Sequence, residues 1–166
     1  MRNEAEVVVV GGGIVGSCVA WFLARAGVDV VVVERDPTYE RSSTSRSAAA
    51  IRQQFHLGVN VAMSRFGYDF YSALGDVGFV ERGYLVLATA EGLPRLRVAH
   101  ANQLVNGARV DLLDARTLRE RFPWLKGDDV AAATFGTAGE GWLDPVAALT
   151  KVREGARADY VEDEVA

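Results

Sequence analysis

One cysteine, two histidines and four prolines are all the sequence holds of those residues, and each scarcity removes a class of protein. Cys18 alone forms no internal disulfide, which excludes a disulfide-stapled scaffold. It falls inside a predicted helix and reads as a small buried apolar residue, and a reducing, cytoplasmic setting is expected. His56 and His100 have no triad partners at motif spacing. No cluster of His, Cys and acids forms a metal-ligand set, and no Gly-x-Ser-x-Gly elbow is present. Hydrolase and metalloenzyme chemistry therefore have no residues to rest on. Positive charge is not in excess either, with 22 Asp and Glu against 18 Lys and Arg. Phosphate backbones are held by clustered cations, so no nucleic-acid partner is expected.

An uninterrupted apolar run is also lacking. Val7 to Ala24 has the hydropathy of a membrane span, but Gly11, Gly12, Gly13 and Gly16 break it, and the block Val7 to Val10 suits a buried strand. No membrane span is expected. The start "MRNEAE" carries two acids, unlike the basic opening of a secretory signal. Hydrophobic residues make up 49% and charged residues 24% of the 166, the balance of one globular domain with a packed core.

The first thirty-six residues change period twice. Glu6 to Val10 reads as a short buried strand, Ile14 to Ala26 as a helix, and Val28 to Val33 as a second valine-rich strand. That order predicts a βαβ unit with parallel strands and a right-handed crossover. At the first strand-to-helix turn, Gly11, Gly13 and Gly16 spell G-x-G-x-x-G. Gly11 permits the tight turn, Gly13 lets backbone approach a pyrophosphate, and Gly16 lets helix pack close to strand. Phosphates then lie at the helix N-terminus, where unpaired N–H groups favour negative charge. Glu34, eighteen residues beyond Gly16, ends the second strand, where a carboxylate accepts hydrogen bonds from adenosine ribose hydroxyls. Its plainer reading is a solvated strand-end acid.

Beyond Glu34 the chain runs into "DPTYERSSTSRSAAAIRQQF", Asp36 to Phe55, rich in small and hydroxylated residues. Here, together with the glycine-rich opening, "RGYLVLAT" (Arg82 to Thr89), "RFPWL" (Arg121 to Leu125) and "GWLDPVAAL" (Gly141 to Leu149), the chain resembles the FAD-dependent oxidoreductases of the D-amino-acid oxidase superfamily. The resemblance is particularly to the sarcosine and dimethylglycine oxidase-like branch. The resemblance implies an α/β fold: a Rossmann-like FAD-binding βαβ unit with parallel sheet, plus part of an inserted α+β substrate domain. It implies FAD contacts at Gly11, Gly13, Ile14, Val15, Gly16, Glu34, Arg35, Ser43, Thr44, Ser45, Ser47, Ala49 and Ala50. It also implies that Arg52 binds a substrate carboxylate, for which a guanidinium fork is suited; a surface arginine is the plainer reading. Relatives that attach flavin covalently use a histidine in a His-Ala-Ala-Gly run. This chain has Ser47-Ala48-Ala49-Ala50 there, so non-covalent FAD is expected at this position.

The remainder reads coarsely. A helix is predicted over Asn60 to Leu74, with Val61, Met63, Phe66, Phe70 and Leu74 on a buried face. Phe79 to Thr89 reads as extended with a bend at Gly83, and Glu91 to Val105 as a helix accepting Pro94 in its first turn. Asp114 caps a helix from Ala115 to Phe122, and Asp144-Pro145 opens another running to about Arg157. Tyr160 to Val165 is expected as a third parallel strand. By resemblance, residues 1–80 are the first FAD-binding segment, 81–140 part of the inserted substrate domain, and 141–166 a return to the FAD domain.

Two functions of different class follow. One is the N-terminal part of an enzyme oxidising a small-molecule secondary amine or amino acid (sarcosine, dimethylglycine, proline or D-amino acid class) by hydride transfer to FAD, with a missing portion or a second polypeptide completing the fold. The other is a non-catalytic remnant or subunit module. A nicotinamide-dependent dehydrogenase domain fits less well, given "STSRSAAAIRQQF" after the second strand.

Overall fold

The computed structural model describes residues 4–165. In chain order its elements are β1 (Val7–Val10), α1 (Ile14–Arg25), β2 (Val30–Glu34), β3 (Ala50–Ile51), α2 (Gly58–Ala73), β4 (Val80–Glu81), β5 (Leu85–Thr89), α3 (Leu93–Val105), β6 (Arg109–Asp114), α4 (Ala115–Arg121), β7 (Val130–Ala138), β8 (Gly141–Trp142), α5 (Pro145–Ala156) and β9 (Asp159–Glu162). They fall into two compact units. The first takes the chain up to Ala49, Leu74–Gly78 and everything from Leu143 onward; the second takes Ala50–Ala73 and Phe79–Trp142.

The first unit is built on a parallel sheet in the order β1-β2-β9. β1 and β2 align Val7 with Val30 through Val10 with Val33, and β9 joins the far side of β2, with Val32 opposite Tyr160. The mixed α/β architecture and the third parallel strand are therefore as the sequence leads one to expect. Alternation along β1 sends Val7 and Val9 into a core with Ala20, Val30, Val32 and Ala156. α1 and α5 approach closely there, since a methyl on Gly155 would stand 1.9 Å from the Trp21 ring. Cys18 is only partly buried, contrary to the expectation of a core thiol, because the buried positions of α1 are Ser17 and Ala20.

α5 starts as its sequence dictates. Asp144 Oδ1 accepts hydrogen bonds from the N–H groups of Val146 and Ala147 at 2.8 and 2.9 Å, and Pro145 occupies the first turn, where no donor is missed. It ends on Arg157 in the left-handed conformation, φ +54°, a position that glycine ordinarily fills. Arg157→Gly is thus expected to stabilise the first unit by roughly 0.5–1 kcal/mol, less than the full left-handed cost because glycine also loosens the unfolded chain. A thermal melt of the variant, shifted upward by a few degrees, checks it.

The second unit carries an antiparallel sheet in the order β5-β7-β6 and a small one in the order β3-β8-β4. α3 packs Leu96 against Ala88 and Ala132; α4 packs Leu118 against Leu113 and Ala133. Asp114 caps α4 by accepting from Thr117 N–H at 2.7 Å, and that bond holds its carboxyl below the usual carboxylate range. α2 departs from the expected buried face. Val61 is fully buried, but Met63 and Phe66 are 66% and 59% exposed, with Phe66 stacked along the helix on Phe70. The three- and four-residue spacing marks a shared face correctly and says nothing of whether that face is covered.

At the centre of this unit is a carboxylate. Glu140 is completely buried, and its oxygens accept from the backbone N–H of Gln53 (2.6 Å), Gln54 (3.1 Å) and Tyr84 (3.0 Å) and from Gln54 Nε2 (2.9 Å). Gln54 passes the network on, its Oε1 accepting from Thr134 Oγ1 at 2.6 Å. Gly136 is obligatory beside it, since a methyl there would fall 1.8 Å from Glu140 Oε2.

Candidate functional site

The site lies in the first unit, at the C-terminal ends of β1 and β2, where open parallel sheets bind ligands. Gly11 follows β1 with φ +94°, a conformation open to glycine at no steric cost, and its N–H donates to Val33 O at 2.8 Å. Gly16 is fixed by proximity, because a methyl there would stand 1.9 Å from Gly11 O. α1 has Gly13 as its N-cap, which brings no side chain of its own, and no acid in its first turn. The first intrahelical bond runs from Ser17 N–H to Gly13 O. The N–H groups of Gly13, Ile14, Val15 and Gly16 therefore have no partner within the helix.

Two side chains from farther along the chain enter this turn. Thr44 Oγ1 accepts from Ile14 N–H at 3.0 Å. Glu34 accepts from Gly12 N–H at 2.7 Å through Oε2 and from Asp36 N–H at 2.9 Å through Oε1. The carboxylate is thus aligned at the lip of the turn by one bond on each oxygen, with lone pairs left for a ligand. The remaining donors, Gly13, Val15 and Gly16, are of the kind that suits an anion at a helix N-terminus.

A cleft of about 920 Å³ opens beside this turn, lined by Gly11, Glu34, Arg35, Ser43, the loop residues Asp36, Thr38, Glu40, Arg41 and Ser42, and Asp163 to Val165 after β9. Arg35 pairs with Glu164 across it at 3.3 Å. Of the residues singled out in the sequence, Gly11, Glu34, Arg35 and Ser43 meet in this cleft, with Ile14 and Thr44 bonded to each other next to it. Ser45 and Ser47 are occupied locally: Ser45 Oγ donates to Tyr39 O at 2.5 Å, and Ser47 Oγ accepts from Ala49 N–H at 2.9 Å. Ala49 itself has φ +44°. Ala50 and Arg52 belong to the second unit. Arg52 is exposed, its guanidinium lies 4.6 Å from the Phe55 ring centre, and no carboxylate pairs with it among the described residues.

The stretch from Asp36 to Phe55 reads in the sequence as one that lets backbone lie against a ligand, but no single residue from Asp36 to Ser42 is singled out there, and these form a wall of the cleft. The available signal was Asp36-x-Thr38, where Asp36 Oδ1 accepts from Thr38 N–H at 3.1 Å in a local turn of the Asx kind. The Thr38 hydroxyl beside it holds the Asp36 carboxyl below the usual range.

The profile of the DAO family, FAD dependent oxidoreductases, matches residues 6–163. The chain belongs to this family. It is 39% identical over 170 residues to FAD-dependent oxidoreductase domain-containing protein 1 of Xenopus laevis, covering 93% of this chain and 34% of that relative. It is 29% identical over 166 residues to the mitochondrial dimethylglycine dehydrogenase of Rattus norvegicus, covering 94% of this chain and 19% of the relative. Among solved structures, L-proline dehydrogenase from P. horikoshii superposes with a TM-score of 0.84 at 31% identity, over 98% of this chain and 45% of the other. The chain thus spans about a third of the first of these relatives.

The residues present fit the adenosine diphosphate end of the family's cofactor. Free helix N-terminal donors suit a pyrophosphate, the glycine turn leaves no side chain in its way, and a carboxylate at the end of the second strand suits ribose hydroxyls. Among the described residues no group of His, Cys and acids could hold a metal ion, and no helix is long and apolar enough to cross a membrane.

Proposed function

We propose that this chain is the nucleotide-binding N-terminal part of an FAD-dependent oxidoreductase acting on a secondary amine or amino acid. The observation that carries the reading is the α1 N-terminus, with free N–H groups and a doubly aligned Glu34 beside them. Gly13, Val15 and Gly16 hold the pyrophosphate, Glu34 takes the adenosine ribose, and Ser43 to Ala50 runs along the remainder, with no covalent bond at Ser47. FAD, where bound, would supply the redox chemistry of hydride acceptance from the carbon beside the amine nitrogen. Arg52 binds and orients the substrate carboxylate; its exposure, and the lack of a paired acid among the described residues, support the guanidinium fork for that role.

Turnover requires the portion of the fold that the longer relatives possess, carried on a continuation of the chain or on a second polypeptide. β1 is an edge of its sheet, and Val8 and Val10 are 55% and 66% exposed. Parallel sheets are ordinarily covered on both faces. The edge formed by β9 differs, since Asp159 and Glu162 bracket it with charge, a usual means of blunting an edge. The side awaiting completion is therefore β1.

A visible-absorption titration of the 166-residue chain with FAD tests the proposal, followed by additions of sarcosine, L-proline and D-alanine. Saturable uptake of one flavin supports nucleotide binding, and bleaching by any of the amines would sink the remnant reading. Binding without bleaching matches a module that needs its other portion; no uptake overturns the proposal. Glu34→Ala is expected to weaken FAD by about tenfold or more, the worth of a charged hydrogen bond or two, and unchanged affinity would remove Glu34 from the ribose site.

A further inference from the structure

Tyr39 is held in a conformation that its residue type resists. It has φ +58°, it is 7% exposed, and its hydroxyl is buried without a hydrogen-bond partner. A non-glycine left-handed residue and an unmade buried hydrogen bond are both costly, and they persist where surrounding structure enforces them. Arg153 from α5 stands against the ring of Tyr39. Its guanidinium carbon lies 5.0 Å from the Tyr39 ring centre and 4.6 Å from that of Tyr160 on β9, so the two aromatic rings flank one planar cation.

The clamped residue touches both parts of the nucleotide site. Its hydroxyl takes up the space beside Gly12, being 2.8 Å from where a methyl on that glycine would stand. Gly12 is the residue whose N–H is bonded to Glu34 and whose carbonyl accepts from Ser17 Oγ at 2.8 Å. On its other side the Tyr39 carbonyl accepts from Ser42 N–H at 3.0 Å and from Ser45 Oγ at 2.5 Å. Those bonds tie down the loop that supplies Asp36, Thr38, Glu40 and Arg41 to the cleft wall.

We propose that Arg153 is a positioning residue for the nucleotide site: clamped between Tyr160 and Tyr39, it holds Tyr39 against Gly12 and so sets the Glu34 carboxylate for the ribose hydroxyls. The inference rests on the reading of Glu34 given above. Positioning of this kind is what converts an acceptor that is merely present into one that is correctly placed.

Calorimetric binding of ADP and of 2′,3′-dideoxy-ADP to the 166-residue chain tests it. The parent chain is expected to prefer ADP by about tenfold. Arg153→Met is expected to lower ADP affinity by about tenfold and to leave dideoxy-ADP binding unchanged, erasing the preference; Arg153→Lys, which keeps the charge without the planar stack, recovers part of it. Equal losses for both nucleotides, as from a purely structural role, would overturn the inference, as would no loss. Should Arg153→Met not fold, Tyr39→Phe is read in the same way: it keeps the ring and removes the hydroxyl that bears on Gly12, and an unchanged ADP preference overturns the inference. A parent chain that binds both nucleotides equally refutes the Glu34 assignment itself, and the inference with it.

Discussion

Gly16→Ala is expected to cost more than about 3 kcal/mol and to abolish nucleotide binding, because a methyl at this position would lie 1.9 Å from the carbonyl oxygen of Gly11 and 3.2 Å from Val9 Cγ1. Backbone cannot yield as a flexible side-chain tip does. Relief requires α1 to lift from β1, which moves the donors of Gly13, Val15 and Gly16 away from one another. Urea unfolding followed by circular dichroism, alongside FAD titration, measures both effects. Gly67→Ala in α2 is the control. Nothing lies within 4 Å of its added methyl, and alanine in a helix interior should gain about 0.5–1 kcal/mol. An unfolding midpoint for Gly16→Ala equal to that of the parent would refute the close-packing argument.

Glu140→Ala is expected to have the largest effect on the second unit. It strands the buried N–H groups of Gln53 and Gln54 and the part-buried N–H of Tyr84, and takes one of two acceptors from the Gln54 amide, which keeps its bond to Tyr84 O. At about 1–3 kcal/mol for each unsatisfied buried group, the loss is on the order of 4 kcal/mol or more, a large share of any domain's stability. Glu140→Gln keeps one acceptor oxygen but turns an amide N–H₂ toward the donors, and should fall between parent and alanine. Hydrogen exchange locates the damage. Protection is expected to drop in β5, β6 and β7 while β1 and β2 keep theirs; uniform protection across both units would show that the carboxylate is not the centre of its own unit.

These two residues differ in how far the sequence announces them. Gly16 belongs to a motif whose parts lie within one turn, and the flanking valine blocks and helical spacing complete the βαβ reading with no long-range information. The capped helices at Asp114 and Asp144 were legible for the same reason: a cap is a contract between neighbours. Glu140 was not legible, because its partners stand at 53, 54 and 84 and a single acid between two glycines carries no pattern. β7 was missed because "VAAATFGTA" alternates small residues rather than large and polar ones, and its strand character comes from pairing with β5 and β6 on either side. Tyr39 was invisible for a third reason. Its significance is a backbone conformation, and no residue type other than glycine advertises one. Phe66 shows the converse, a clear amphipathic period whose apolar side is left exposed.

The pairing of Ala50 with Trp142 has a bearing on the order in which the chain folds. β9 must find β2 from the far end of the sequence, and long closures delay strand pairing. Once β3 and β8 have joined, however, Ala49 and Leu143 of the first unit stand side by side, Leu143 N–H donating to Ala49 O at 3.1 Å. The closure entropy for the parallel sheet is then that of a short loop rather than of the whole intervening segment. Pairing of β3 with β8 is thus expected to precede the joining of β9 to β2.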